Sequence, residues 1–142
     1  MTEYRNPTPA VDAVVFYRNY DHIILIDRKN PPHGLALPGG FVNENETLEE
    51  AIKREVKEEL GLNIFLQEQF YTYSHPERDI RKHVMSTVFI ATTTDIPKAG
   101  DDADAYVIVN AYTRNMNLAF DHAQIINDVN RYIATGQRRK LD

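Results

Sequence analysis

Hydrophobic and polar positions divide the chain into short strand-like runs and two helix-like stretches. Residues 11–17 and 23–27 are rich in β-branched and aromatic side chains and flank the polar residues 18–22, a pattern that predicts a hairpin. Asn30-Pro31-Pro32-His33-Gly34 reads as loop, and the short apolar run Leu35-Ala36-Leu37 leads into Pro38-Gly39-Gly40. Two consecutive glycines allow backbone angles and close approaches that other residues forbid, so another group is expected near that backbone. Residues 70–74, 83–93 and 106–112 have strand character. Residues 47–60 and 119–133 have helical spacing, the second through Ile125, Ile126, Val129, Tyr132 and Ile133. These elements mix without a regular strand-helix-strand period, which predicts an α/β protein with a mixed sheet and helices packed on it.

The first helix is well delimited and internally inconsistent. Thr47 with Glu50 forms a capping-box pattern, and Gly61-Leu62 suits a left-handed stop with an apolar contact back onto the last turn. With Leu48 as zero, Ala51, Ile52 and Val56 fall at roughly −60°, +40° and +80° on the helical wheel, the arc that should be buried. Glu55 and Glu59 fall at roughly −20° and +20° on the same wheel, and Glu58 at about −80°. Glu49, Glu50, Lys53 and Lys57 occupy the opposite, solvated side. The three acids also stand in the C-terminal half, where the helix dipole disfavours an anion by about 0.3–1 kcal/mol each. A cation held by Glu55, Glu58 and Glu59 accounts for the pattern, because positions i, i+3 and i+4 share one face; all-oxygen ligation favours Mg²⁺, Mn²⁺ or Ca²⁺ over zinc or copper. The alternative is a structural ion pair in which Arg54 neutralises the cluster.

The remaining composition narrows the possibilities. The chain has 142 residues, no cysteine, and 16 Lys+Arg against 21 Asp+Glu for a net charge of −5. Thiol chemistry and Cys-ligated zinc are thereby excluded. The longest basic cluster is Arg138-Arg139-Lys140, too little for general nucleic-acid affinity. The apolar runs are too short for a membrane span and the N-terminus lacks a signal-like segment, so the expected location is cytoplasmic. No repeat or linker divides residues 1–142, which read as one domain. The five histidines lack paired metal-site spacing, and neither GxGxxG nor a Walker A pattern occurs.

Gly40, five residues, Glu46, seven residues and then Arg54-Glu55-Val56-Lys57-Glu58-Glu59-Leu60-Gly61-Leu62 resembles the Nudix box, here at 40–62. The resemblance implies the Nudix fold, an α/β/α sandwich with a mixed sheet over essentially the whole chain. It further implies a loop-helix-loop that binds a divalent metal, Mg²⁺ with Mn²⁺ as a substitute, and hydrolyses a diphosphate linked to another group. Carried onto this sequence, Glu55, Glu58 and Glu59 are the metal ligands, with a backbone carbonyl of Gly39 or Gly40 beside them. Glu46 and Arg54 brace loop against helix. The segment Tyr73-Ser74-His75-Pro76-Glu77-Arg78-Asp79-Ile80-Arg81 is similar to one in ADP-ribose pyrophosphatases, with Ile80 in place of a proline. Ser74, Pro76, Arg78 and Arg81 are accordingly expected to bind substrate, although the arginines could instead be solvated partners of Asp79.

Gly100-Asp101-Asp102-Ala103 and Leu118-Ala119-Phe120-Asp121-His122 also resemble that group, but Asp104-Ala105 stands where a glutamate is usual. Glu55, Glu58 and Asp102 are therefore the candidate catalytic acids, with Glu58 favoured as base. Asp101 and Asp102 also suit an ordinary turn, and Asp121 with Gln124 reads as a helix N-cap box. The expected activity is Mg²⁺-dependent hydrolysis of ADP-ribose, or a related nucleoside diphosphate sugar, to AMP and ribose 5-phosphate. The alternatives are hydrolysis of NADH, a nucleoside triphosphate or a dinucleoside polyphosphate, and a module that binds ADP-ribose without cleaving it. The family resemblance implies a homodimer, with residues 4–9 as a candidate exchanged arm; no nucleic-acid or membrane partner is expected.

Overall fold

The longest apolar run becomes the centre of a seven-stranded sheet in the computed structural model, which describes residues 3–100, 103–113 and 116–142. The strands are β1 (Thr8–Tyr17), β2 (His22–Arg28), β3 (Gly34–Ala36), β4 (Gly39–Phe41), β5 (Phe65–Tyr73), β6 (Val84–Thr93) and β7 (Ala103–Asn110). The helices are α1 (Leu48–Leu60) and α2 (His122–Thr135). The main path is β3-β2-β1-β6-β5, with β4 paired to β1 and β7 to β2. β1 and β6 run parallel from Thr8↔Val84 to Tyr17↔Thr93, while the other pairings are antiparallel, so the sheet is mixed.

The central strands are apolar on both sides because both sides are covered, and successive side chains alternate between them. Val11, Ala13 and Val15 of β1, Ile24 and Ile26 of β2, and Phe89 and Ala91 of β6 pack with Ala51, Ile52, Val56 and Leu60 of α1. The alternate residues Val14, Phe16, Ile23, Leu25, Val88 and Ile90 pack with Ile125, Ile126 and Val129 of α2. One helix on each face gives the α/β/α layering.

Several element boundaries differ from the sequence reading, among them β1, which begins at Thr8 rather than at residue 11 because Thr8 and Pro9 pair with Val84 and Met85 of β6. β5 begins at Phe65 rather than at residue 70, because its polar residues Gln67 and Gln69 face solvent on a strand at the sheet's end. β7 is Ala103–Asn110 rather than 106–112, shifted by its register with β2. Gly39 and Gly40, which the sequence reading assigns to no element, form a short strand with Phe41, since Val11↔Gly40 and Asp12↔Gly39 pair across β1 and β4. α2 starts at His122 rather than at 119, because the Ala119 N–H donates to Leu35 O at 2.8 Å and ties that turn to β3. Among the described residues, no helix is long and apolar enough to cross a membrane.

Candidate active site

Helix α1 carries the acids, and its ends fix where they point. The Thr47 hydroxyl accepts from the Glu50 N–H while the Glu50 carboxylate accepts from the Thr47 N–H, a complete capping box, and Gly61 closes the helix at φ 65°. The Lys98 and Gly100 N–H groups donate to the carbonyls of Leu60 and Glu59 at 2.6 and 2.7 Å, satisfying acceptors that a helix end leaves open. Between these ends Ala51, Ile52, Val56 and Leu60 anchor the buried face, and Glu55 and Glu59 are drawn into it at 8% and 3% exposure. Glu58 is the exception to the expected burial: its side chain is 43% exposed, as its place at the edge of the arc allows.

Glycines 39 and 40 are needed for proximity, and neither adopts a left-handed φ. A Cβ on Gly40 would overlap the Glu55 carboxylate, and one on Gly39 would overlap the Val11 carbonyl and Asp12. The Gly39 N–H donates to Glu59 Oε1 at 2.8 Å, so β4 and α1 meet through a carboxylate.

Arg54 knits this region together. Its Nε and Nη2 donate to the two oxygens of Glu46 at 2.6 and 2.9 Å, and Nη2 also donates to the Phe41 carbonyl at 3.1 Å. The Asn43 N–H adds a further bond to Glu46, 2.9 Å long. Hydrogen bonds from Arg54 and then from Asn43 pull the Glu46 carboxyl down to about 2. The loop before α1 is thus clamped to the helix. The remaining nitrogen, Nη1, lies 2.8 Å from Glu55 Oε1 and 3.3 Å from Glu58 Oε2. One positive centre is therefore shared by two carboxylates. Among the described residues no three His, Asp or Glu side chains converge on a closed metal site. Arg54 thus makes the ion pair with Glu55 and Glu58 that stood as the alternative to a metal, while the all-oxygen donor set of the three acids fits a hard divalent ion.

Beside the glycines a cavity of about 90 Å³ opens, lined by Asp12, Arg28, Gly39, Gly40, Phe41, Arg81, Phe120 and His122 among others. Arg78 and Arg81 both border it, each already paired. Arg81 donates to the buried Asp79 through Nε and Nη2 at 3.0 and 2.7 Å. Burial works to raise the Asp79 pKa, but these bonds, a further one from the Arg81 backbone N–H and the charges of Arg81 and Arg78 together outweigh it and leave the carboxyl below its ordinary value. Arg78, its side chain only 4% exposed, makes a bidentate pair with Asp121 at 2.9 and 2.6 Å. Asp121 stands at the N-cap of α2 without a capping bond, so the expected box with Gln124 does not form: Arg78 has taken its carboxylate. Ser74 and Pro76 are exposed and do not line this cavity; Ser74 borders a separate depression with Tyr71 and Asp121, its carbonyl 2.9 Å from His83 Nε2. Asp101 and Asp102 lie outside the described residues.

Four cavity residues, Asp12, Arg28, Phe120 and His122, had not been singled out as binding groups. Ser86 Oγ donates to Asp12 Oδ2 at 2.5 Å, and His122 Nε2 stands 3.7 Å from the same oxygen. His122 Nδ1 accepts the Leu37 N–H at 2.9 Å. One signal was available in the sequence: Asp12 is an acid inside the otherwise apolar run 11–17.

Comparison with known proteins agrees with this architecture. The NUDIX domain model matches residues 6–129. An ADP-ribose pyrophosphatase of Methanocaldococcus jannaschii is 45% identical over 133 residues, covering 91% of this chain and 76% of the relative. The NUDIX domain of Shewanella oneidensis NrtR, solved with ADP ribose, superposes with a TM-score of 0.81 at 27% identity, covering 92% of this chain and 90% of that one. A bifunctional NMN adenylyltransferase/ADP ribose pyrophosphatase from Francisella tularensis, solved with AMP and a manganese ion, gives a TM-score of 0.78 at 28% identity over 89% of this chain, which spans 42% of that longer protein. The chain belongs to the Nudix family. It is a Nudix hydrolase.

Proposed function

We propose that the protein hydrolyses the diphosphate of ADP-ribose, releasing AMP and ribose 5-phosphate, with Mg²⁺ as the working cation. The observation that carries this reading is the buried acid pair Glu55 and Glu59, set against Gly40 and Gly39 at the edge of an arginine-bordered cavity. Similarity to the Methanocaldococcus jannaschii ADP-ribose pyrophosphatase and to the ADP ribose complex of the NrtR domain supports the substrate class. The manganese in the Francisella tularensis complex supports a divalent ion.

Glu55, Glu58 and Glu59, with a carbonyl of Gly39 or Gly40, would hold the ion. When bound, a divalent ion neutralises charge on the diphosphate oxygens and lowers the pKa of water. Glu58, the most exposed of the three, accepts the proton of the attacking water. Arg54 and Glu46 keep the helix and loop aligned, and Gly40 leaves room for the Glu55 carboxylate against the strand. Arg81 and Arg78 at the cavity border attract and align the anionic substrate. We also place the protein in the cytoplasm as a homodimer; Thr8 and Pro9 of the candidate arm are built into β1 of the same chain, which leaves residues 4–7, with Tyr4 91% exposed, to meet a partner, and light scattering tests the assembly.

The deciding measurement is AMP release from ADP-ribose, NADH, ATP, dGTP and diadenosine polyphosphates, each with Mg²⁺, Mn²⁺ or EDTA. Turnover abolished by EDTA and at least tenfold faster on ADP-ribose is expected, a margin of about 1.4 kcal/mol in transition-state binding. Preference for another nucleotide would overturn the substrate assignment, and turnover in EDTA would overturn the metal assignment.

A further inference from the structure

We propose that Phe120 is a positioning residue, whose ring fixes the Arg28 and Arg81 guanidiniums as a paired-cation seat for an oxyanion group of the substrate. The proposal rests on the diphosphate-hydrolase reading above and assigns a role to the Leu118–His122 segment, which that reading leaves without one.

Phe120 has φ 56°, a left-handed backbone that a bulky residue seldom adopts. Such a conformation persists only where the surroundings impose it, and it concentrates at functional sites. Each neighbour is tied to a different part of the cavity. Leu118 bridges to Leu35, and the Ala119 N–H donates to the Leu35 carbonyl at 2.8 Å. Asp121 holds Arg78 through two bonds, and His122 accepts the Leu37 N–H. Phe120, between these anchors, has no freedom to relax. Phe120 packs against the core cluster on the α1 side, and the same backbone brings its ring within reach of two cations.

The Arg28 guanidinium carbon lies 4.9 Å from the Phe120 ring centre and that of Arg81 lies 5.2 Å from it. Both are within cation–π range. Each arginine is also held from behind: Arg28 Nε donates to the Pro32 carbonyl at 2.8 Å, and Arg81 is fixed by Asp79. Two like charges are thus kept together on one ring. Burial and then repulsion from Arg81 lower the Arg28 pKa, consistent with cations crowded against their preference despite the offsetting charges of Glu59, Asp79 and Asp12. Arg81 uses its Nε and one Nη2 hydrogen on Asp79 and Arg28 its Nε on Pro32, so the donors left at the cavity for a phosphate-type oxyanion are the remaining Nη hydrogens of the two guanidiniums.

The test uses the full chain with Phe120→Leu, Phe120→Gly and Phe120→Tyr, measuring kcat and KM for ADP-ribose with Mg²⁺ and the Kd of inorganic diphosphate by calorimetry in EDTA. Leucine keeps apolar bulk, glycine removes the backbone strain, and tyrosine keeps the ring. Phe120→Leu and Phe120→Gly are expected to raise KM and Kd about tenfold with kcat changed less than about threefold, and Phe120→Tyr to restore wild-type binding. In an Arg28→Gln/Arg81→Gln background, adding Phe120→Leu should change Kd no further. Wild-type KM and Kd in Phe120→Leu, or an undiminished loss in the double-arginine background, would show that the ring only packs. Should Phe120→Leu fail a thermal-melt check, Arg28→Gln decides: an unchanged diphosphate Kd overturns the seat. Wild-type protein that binds diphosphate but does not cleave ADP-ribose sinks the substrate reading and supports the seat; failure to bind diphosphate sinks the seat.

Discussion

Helices α1 and α2 cover opposite faces of one sheet, and each ends on a left-handed glycine, Gly61 or Gly136, yet they bury different chemistry. The inner face of α2 presents Ile125, Ile126 and Val129 with two polar residues, His122 and Asn130, and no carboxylate, so burial of apolar surface explains most of it. The inner face of α1 presents Ala51, Ile52 and Val56 together with Glu55 and Glu59. Those two acids stand in the half of the helix where the dipole opposes them. Their ends differ too. α1 has a complete capping box, whereas α2 gives up its Asp121 cap to hold Arg78 beside the cavity. These departures lie beside the same cavity: Glu55 and Glu59 against Gly40 and Gly39, and Asp121 against Arg78, three residues that line it.

The contrast can be broken by moving activity and stability separately. The largest effect is expected from Glu59→Gln, which should lower kcat on the order of 10³-fold, about 4 kcal/mol. Its melting temperature should hold or rise, because the amide oxygen still accepts from Gly39 and a buried like charge is gone. Steady-state kinetics beside calorimetric melting checks both halves, and full turnover with unchanged metal affinity would remove Glu59 from the metal site. On the other helix Ile125→Ala, at a fully buried position, should lose about 2–5 kcal/mol of stability while the folded fraction keeps its kcat. Denaturant titration with activity normalised to folded protein decides; a specific loss of kcat would join α2's core to the chemistry. The smallest effect concerns the brace. The Glu46 carboxyl falls from 4.5 unfolded to about 2 folded, so its stabilisation is complete above pH 4.5 and is lost as pH falls from there toward 2. Melting temperature should therefore drop less steeply across that window in Glu46→Gln than in the parent chain, and equal slopes would dissociate the brace from acid stability.

Much of α1 was legible beforehand because caps and a helical face are local properties: Thr47, Glu50 and Gly61 lie within or next to the element they delimit. The buried acids were visible as a conflict between charge and periodicity. Glu58 was less so, because an edge position on a wheel does not say whether a neighbouring segment covers it. The N-cap reading of Asp121 failed for a similar reason, since a partner 43 residues away outcompeted the local backbone.

The sequence alone thus determined the two helix faces, the apolar strands and the acid-rich helix, since each follows from periodicity, capping and charge within a short window. Only the tertiary structure decided that Arg28, Phe120 and Arg81 stack, that Asp12 meets Ser86 across 74 positions, and that Leu37 meets His122 across 85. Those meetings depend on strand register and on the parallel pairing of β1 with β6, which bring distant residues together without leaving a local periodicity to read.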